Sequence, residues 1–199
     1  MARRRSRRIP TRGPLALLTA LVAAAAAYWT TRQPPKGVPT QGTVSKVSDG
    51  DTLHVRADGA DHILRLIGVD TPELHESDKL DRDAQRTGQD RRTIQALGQR
   101  AHAFTRRLCE GKRCRLEFDS ANAASGHRDK YGRLLVYLFV TGDDGSDVFV
   151  NAEIIRQGYG AAMAGYAFDA ARKAEFLRLQ RDARSAKRGL WGEWKERGP

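Results

Sequence analysis

Four acidic side chains stand where the chain turns between apolar stretches, and their types suit metal-assisted chemistry. They are Asp49, Asp51, Asp70 and Glu73. Clustered carboxylates repel one another and usually share a cation, and hard oxygen ligands favour Ca²⁺ or Mg²⁺. Thr71 offers a backbone carbonyl and a hydroxyl to such an ion. The alternative is ordinary turn chemistry, because Asp-Gly and Asp-Thr-Pro sequences are common in loops.

An arginine interrupts the apolar run at residues 63–69. Arg65 alternates there with Ile63 and Ile67. Because a buried charge without a partner is costly, we expect Arg65 to pair with one of the carboxylates. A purely structural salt bridge is the alternative reading for this one arginine.

A second arginine, Arg133, ends the segment 129–133 (DKYGR) just before an apolar stretch. Its guanidinium is a fork-shaped donor that matches a phosphate in a way that lysine does not. Two arginines and a cation around one carboxylate would form a phosphodiester site. The positive charges would neutralise the developing phosphorane while the carboxylate takes a proton from water.

Three segments, in this order, resemble the thermonuclease family typified by staphylococcal nuclease. They are residues 48–52 (SDGDT), 65–73 (RLIGVDTPE) and 129–133 (DKYGR). The resemblance extends over about residues 42–191. It implies an OB-fold and Ca²⁺-dependent hydrolysis of DNA and RNA with little sequence preference, leaving 3′-phosphates.

The resemblance also implies a role for each matching residue. The calcium ligands would be the carboxylates of Asp51 and Asp70 and the carbonyl of Thr71. Glu73 would position or deprotonate the attacking water, and Arg65 and Arg133 would hold the scissile phosphate. The residues near a bound nucleotide would be Lys130, Tyr131 and Tyr166.

The sequence departs from the family pattern at two places. Ala164 stands where the family has a second tyrosine, so base stacking is weakened or supplied differently. Residues 74–103 are longer than the corresponding family loop. Arginines in this segment could follow a phosphate backbone or form a solvated face, and the second reading is favoured; they are Arg82, Arg86, Arg91 and Arg92.

A small barrel with helices is expected to position these residues. Apolar alternation and turn signals predict five strands, at residues 43–47, 52–56, 63–69, 114–118 and 134–140. Apolar spacing predicts helices at residues 94–108, 150–157 and 169–188. Residues 73–90 lack an apolar period and are predicted to form a long loop. The fold class is therefore α+β, a five-stranded OB-fold Greek-key barrel capped by about three helices.

The basic composition is concentrated outside this predicted domain. The formal net charge is +11, but residues 1–34 carry seven arginines and no acidic side chain. A charged start followed by the apolar run at residues 15–29 predicts an export signal or a retained membrane anchor. Both alternatives leave the domain secreted, periplasmic or on the outer face of the cytoplasmic membrane. Net charge is therefore weak support for nucleic-acid binding.

In a chain of 199 residues, we predict one globular domain preceded by the export element at residues 1–34. Residues 35–41 form a linker, residues 42–192 the staphylococcal nuclease-like domain, and residues 193–199 a tail. We expect a monomer acting on DNA and RNA. The alternative function is a catalytically silent nucleic-acid-binding module of the same fold, which should have lost part of the acid and arginine set.

Two cysteines, Cys109 and Cys114, lie between a predicted helix and the next strand. In an oxidising compartment they could form a disulfide, and two buried thiols are the alternative. Two cysteines by themselves are a poor zinc site.

Overall fold

The computed structural model describes residues 37–142 and 144–193, apart from the side chain of Arg86. The predicted export element at residues 1–34 lies outside this part, as does residue 143 and all but the first residue of the predicted tail. Within the described ranges, no helix is long and apolar enough to cross a membrane.

Five of the eight strands in the described residues close into a barrel. The eight strands are β1 (Gln41–Asp49), β2 (Thr52–Ala57), β3 (Ala60–Leu66), β4 (Val69–Asp70), β5 (Arg113–Glu117), β6 (Leu134–Thr141), β7 (Asp147–Phe149) and β8 (Ala161–Ala162). The barrel strands are β1, β2, β3, β5 and β6. The main sheet has the order β3-β2-β1-β5-β6-β7, and parallel pairing of β3 with β6 completes the barrel. The short strands β4 and β8 form a separate antiparallel pair. The predicted OB-fold barrel is confirmed.

Period-two alternation builds the barrel interior, as expected for strands with one buried face. Leu64 and Leu66 of β3 point into the core, with Leu53 and Val55 from the neighbouring strand β2. Arg65 therefore lies on the opposite face of β3 from these leucines. The Arg65 side chain is therefore outside the apolar interior, on the outer side of the barrel.

Within residues 37–142 and 144–193, four α-helices and two 3₁₀ segments accompany the barrel. They are α1 (Asp78–Thr87), α2 (Arg91–Cys109), α3 (Val150–Arg156) and α4 (Ala170–Ser185), with the 3₁₀ segments at Ser120–Ser125 and Gly189–Gly192. The three predicted helices correspond to α2, α3 and α4. The fourth helix, α1, was not predicted.

The prediction of a long loop over residues 73–90 was wrong, because α1 forms there. Its ends carry capping signals: the Ser77 side chain accepts a hydrogen bond from the Leu80 amide, and Gly88 takes a left-handed conformation (φ 71°). Leu80 is fully buried, but a single apolar anchor leaves no period to detect.

A buried amide side chain joins α3 to the barrel. Asn151 Oδ1 accepts a hydrogen bond from the Leu138 amide at 2.9 Å, and its Nδ2 donates to Ile67 O at 2.9 Å and to Val136 O at 3.2 Å. Every polar atom of this amide therefore has a backbone partner. The contact holds the end of β3 beside β6, next to the segment that carries Asp70.

Candidate active site

The pairing of β2 with β3 brings Asp51 and Arg65 together. Thr52 lies opposite Arg65 in the strand register, and the Leu66 amide donates to the carbonyl of Asp51 at 3.0 Å. One nitrogen of Arg65, Nη2, is then 3.1 Å from Asp51 Oδ2 and 3.9 Å from Asp70 Oδ1. The ion pair expected for Arg65 is formed, and it involves two of the predicted metal-binding carboxylates.

The Arg65 guanidinium is held by the backbone as well. Its Nη1 donates to Leu66 O at 2.8 Å and to Val69 O at 2.7 Å. The side chain is 12 % exposed. A planar fork held on both nitrogens has little freedom to move, so its orientation is determined before any substrate binds.

Asp51 is a buried carboxylate that stays ionised. Burial opposes its charge, but Arg65 and Lys79 outweigh burial and hold the pKa of Asp51 below its usual value. The Thr71 amide donates to Asp51 Oδ2 at 3.1 Å, and the Thr52 hydroxyl donates to Oδ1 at 3.1 Å. These contacts place Asp51 against the segment that follows β4.

The remaining acids converge on a residue that sequence reasoning missed. Lys79 Nζ is 3.1 Å from Asp70 Oδ1 and 2.9 Å from Glu73 Oε1, and it donates to Thr71 O at 2.7 Å. Lys79 lies in the first turn of α1, six positions after Glu73. A lysine in a predicted loop could not be placed beside the carboxylates from the sequence alone. Ser77, a typical N-cap residue, was the signal that could have predicted a helix beginning at Asp78.

Asp49 extends the acidic cluster. Burial, together with repulsion from Asp51, raises the pKa of Asp49 to about 7. Burial likewise raises the pKa of Asp70, although Lys79 opposes the shift. Gly50, between Asp49 and Asp51, passes so close to Thr71 that an added Cβ would lie 2.8 Å from its Oγ1. Only glycine fits this approach of the two acid-bearing segments.

Arg133 reaches the site through a hydroxyl. Its Nε and Nη2 each lie 2.7 Å from Asp129 Oδ2, and its Nη1 donates to the Thr52 hydroxyl at 3.3 Å. Because the same hydroxyl donates to Asp51, the two arginines belong to one hydrogen-bonded group. The role of Thr52 was also missed, since a threonine in a strand usually reflects β propensity alone.

The predicted nucleotide contacts are exposed. Tyr131 is 71 % exposed, with Lys130 Nζ 5.0 Å and the Arg133 guanidinium carbon 5.2 Å from its ring centroid. Tyr166 is 67 % exposed, in the loop between β8 and α4. Ala164 lines a cavity of about 400 Å³ beside Asp70 and Thr71. Tyr131 is therefore close to Arg133, whereas Tyr166 belongs to a different segment of the surface.

A family model described as "Staphylococcal nuclease homologue" matches residues 63–193. The chain belongs to the staphylococcal nuclease family. The match begins within β3, so Asp49 and Asp51 precede it, and their place in the site rests on the contacts described above.

Two proteins named thermonuclease are similar in sequence to this member of the staphylococcal nuclease family. The Staphylococcus hyicus protein is 30% identical over 148 residues, 74% of this chain and 73% of its own length. The Staphylococcus intermedius protein is 34% identical over 119 residues, which is 60% of this chain and 57% of its own length. An uncharacterised protein of Methanocaldococcus jannaschii is 33% identical over 153 residues, which is 75% of this chain and 70% of its own length. The family match and the two relatives named thermonuclease support a nuclease hydrolase in general terms.

The oxygen atoms of this nuclease-family site suit a hard cation. Among the described residues, no group of three or more His, Cys, Asp or Glu side chains is arranged to hold a metal ion. The predicted set is smaller: two carboxylates, Asp51 and Asp70, and the Thr71 carbonyl. Two of its three members, Asp70 and Thr71, already contact one cation, the ammonium of Lys79. The donor chemistry therefore fits Ca²⁺, with further ligands needed from water or substrate.

The predicted disulfide is not formed in the structure, where Cys109 and Cys114 are buried free cysteines. Both thiols belong to the main apolar core, in which a neutral thiol behaves as a small hydrophobic group. Burial raises the pKa of Cys114 to about 11 and raises that of Cys109 further. Both side chains therefore contribute to packing as thiols at neutral pH.

Proposed function

We propose that this protein is an exported, Ca²⁺-dependent nuclease that hydrolyses phosphodiester bonds of DNA and RNA with little sequence preference. The observation that carries the proposal is the position of Arg65, paired with Asp51 and near Asp70 in one cluster with Glu73. A silent binding module would not need this complete set of acids and arginines in contact.

The two arginines act on the phosphate. Arg65 is held by two carbonyls and a carboxylate, so its guanidinium is oriented before substrate arrives. Arg133 is held by Asp129 and linked through Thr52 to the same group. Two preoriented cations stabilise charge that develops on the phosphoryl oxygens in the transition state, without a reorganisation cost.

Calcium would be held by Asp51, Asp70 and the Thr71 carbonyl, and it would supply positive charge to the phosphate and to water. Glu73 takes the proton from the attacking water. The water oxygen forms a bond to phosphorus while the bond to the 5′ oxygen breaks, which leaves a 3′-phosphate. The departing oxygen receives its proton from solvent beside an arginine.

Substrate binding would involve the exposed side chains around Arg133. Tyr131 offers a ring on which a base or sugar can stack, and Lys130 adds a positive charge beside it. Tyr166 offers a second exposed ring. None of these groups reads base edges in a fixed geometry, which suits cleavage with little sequence preference.

The cellular setting is part of the proposal. The arginine-rich start and the apolar run at residues 15–29 support export, with the domain secreted, periplasmic or anchored at the outer face of the cytoplasmic membrane. Export would deliver the enzyme to a compartment where calcium is plentiful. We propose that it acts there as a monomer.

A digestion assay tests the function. Purified protein is incubated with single-stranded DNA and with RNA, with Ca²⁺ or with a chelator, and the product ends are identified by mass spectrometry. We expect cleavage of both polymers to 3′-phosphates with Ca²⁺ and loss of activity with the chelator. The Glu73→Gln variant, similar in shape, controls for a contaminating nuclease. Equal activity in the chelator would refute the calcium assignment.

A further inference from the structure

The first turn of α1 places a lysine inside the acidic cluster. Lys79 Nζ contacts Thr71 O at 2.7 Å, Glu73 Oε1 at 2.9 Å and Asp70 Oδ1 at 3.1 Å, and lies 3.7 Å from Asp83 Oδ2. Its side chain is 25 % exposed. A surface lysine would extend into solvent, whereas this one is surrounded by oxygens on several sides.

The helix is held in this position by contacts on both sides of Lys79. Ser77 caps the helix through the Leu80 amide, and its hydroxyl donates to Glu73 Oε2 at 3.3 Å. Leu80 is fully buried. From α2, Arg91 pairs with Asp81 of α1 at 3.2 Å. The capped and packed helix α1 therefore directs the lysine at the cluster.

Two of the oxygen donors that Lys79 contacts belong to the set proposed for calcium, so this inference rests on the proposed function. Calcium binds its oxygen ligands at about 2.3–2.6 Å. An ion bound to Asp70 and Thr71 would consequently lie within about 6 Å of an ammonium held on the same two groups. Two cations this close, in a partly buried site, repel strongly.

We propose that Lys79 is a built-in competitor of calcium: its ammonium fills the cation site in the metal-free protein and must withdraw when the ion binds. In the metal-free state the lysine compensates the charges of Asp70 and Glu73. The apparent dissociation constant for calcium then equals the intrinsic dissociation constant divided by the fraction of molecules in which Lys79 has withdrawn.

Calcium titration calorimetry without substrate tests the competition. The Lys79→Met variant should bind Ca²⁺ about tenfold more tightly than the unaltered protein if the lysine occupies the site about nine-tenths of the time. Arg82→Met is the matched control, because Arg82 is an exposed cation on the same helix. It should change the dissociation constant less than about twofold, since the charge of an exposed side chain is screened by solvent and salt.

The outcomes separate the two proposals. Equal calcium affinity in Lys79→Met and in the unaltered protein, or an equal gain in Arg82→Met, overturns the competition and leaves the calcium-dependent nuclease intact. If neither the unaltered protein nor Lys79→Met binds calcium, the metal assignment fails and the competition fails with it.

A second measurement needs no substitution, so it stands even where Lys79→Met folds poorly. Reductive methylation of the unaltered protein, read by mass spectrometry, compares lysine reactivity with and without saturating Ca²⁺. Lys79 should react several-fold faster with calcium, because withdrawal removes its carboxylate partners. Lys46, exposed on β1, should react equally in both conditions. Unchanged reactivity of Lys79 in a protein that binds calcium overturns the proposal.

Discussion

At the scale of single residues, the site depends on side chains that each make several polar contacts at once, which a smaller or less polar side chain could not make. Arg65 uses one terminal nitrogen for two backbone carbonyls and the other for carboxylates. Thr52 uses one hydroxyl as a donor to Asp51 and as an acceptor from Arg133. The consequences can be tested with substitutions that keep charge or shape.

The Arg65→Lys variant keeps the positive charge and loses the fork. We expect kcat on single-stranded DNA to fall by about 10²–10³, because one ammonium cannot hold the backbone carbonyls and the phosphate together. Arg56→Lys is the control, since Arg56 forms an exposed pair with Asp61. Near-normal activity of Arg65→Lys would show that the guanidinium geometry is unimportant.

The Thr52→Val variant keeps the shape of the side chain and removes the hydroxyl. Arg133 then loses a partner, and we expect kcat to fall by about tenfold, the effect of one lost hydrogen bond. Thr52→Ser should retain most of the activity because it keeps the hydroxyl. If valine and serine behave alike in a steady-state assay, the hydroxyl does not position Arg133.

His127 provides a test of pH dependence away from the proposed metal site. Burial lowers the pKa of His127, although Asp119 opposes the shift. As pH falls below about 6.5, the unfolded chain binds a proton that the folded protein resists, so stability falls. Asn tolerates the left-handed backbone of this residue (φ 57°).

We expect His127→Asn to lose less stability than the unaltered protein between about pH 7.5 and about pH 5.5, measured by urea unfolding. Identical pH dependence in His127→Asn and the unaltered protein would contradict the assignment.

At the scale of elements, α2 supports the segment that carries Glu73. Gly98 lies in the middle of this helix, and an added Cβ would lie 2.4 Å from the Glu73 carbonyl oxygen. The helix can therefore approach the Glu73 backbone only because residue 98 has no side chain. The position of Glu73, the proposed base, therefore depends on the close packing of α2 at Gly98.

The Gly98→Ala variant should therefore be destabilised, although alanine normally favours a helix by about 1 kcal/mol. We expect a loss of about 1–3 kcal/mol, since backbone must shift to relieve the contact. Activity should fall as well, because Glu73 moves with it. Gln99→Ala, exposed at the next position, should be neutral or slightly stabilising in denaturant unfolding. A stable, fully active Gly98→Ala would show that α2 does not position Glu73.

At the scale of the whole molecule, closure of the barrel brings distant segments together. The parallel pairing of β3 with β6 sets Leu64 opposite Leu134, which places Arg133, the residue just before β6, beside the strand of Arg65. Asn151 then holds this closure against α3. The proposed phosphate site exists only where the sheet closes on itself.

Removal of the Asn151 amide should destabilise the whole domain. Asn151→Ala removes the side-chain partner of the Leu138 amide and of the Ile67 carbonyl, whereas the Val136 carbonyl keeps its bond from the Ile67 amide. We expect a loss of about 2–4 kcal/mol in the free energy of unfolding. Asn151→Asp should be at least as damaging, because it loses both donors and buries a charge. A loss below about 1 kcal/mol for alanine, measured in denaturant, would show that the junction contributes little.

Local patterns in the sequence determined the barrel strands, three of the helices and the residues that approach one another at the strand ends. Alternation of apolar residues identifies buried strands because each strand has one face in the core, as Leu64 and Leu66 do on either side of Arg65. Motif spacing indicated that Arg65 pairs with one of the carboxylates Asp51, Asp70 or Glu73, and the structure shows that Asp51 is the nearest of them, at 3.1 Å.

Tertiary structure alone decided what stands beside those residues. α1 forms on two caps and one buried leucine, so its sequence has no period, and Lys79 could not be directed at Asp70 and Glu73 until the helix was known. Thr52 links the two arginines only because the barrel closes. The thiols of Cys109 and Cys114 lie free in the core. Convergence of side chains depends on the path of the chain between them, and local residue preferences do not specify that path.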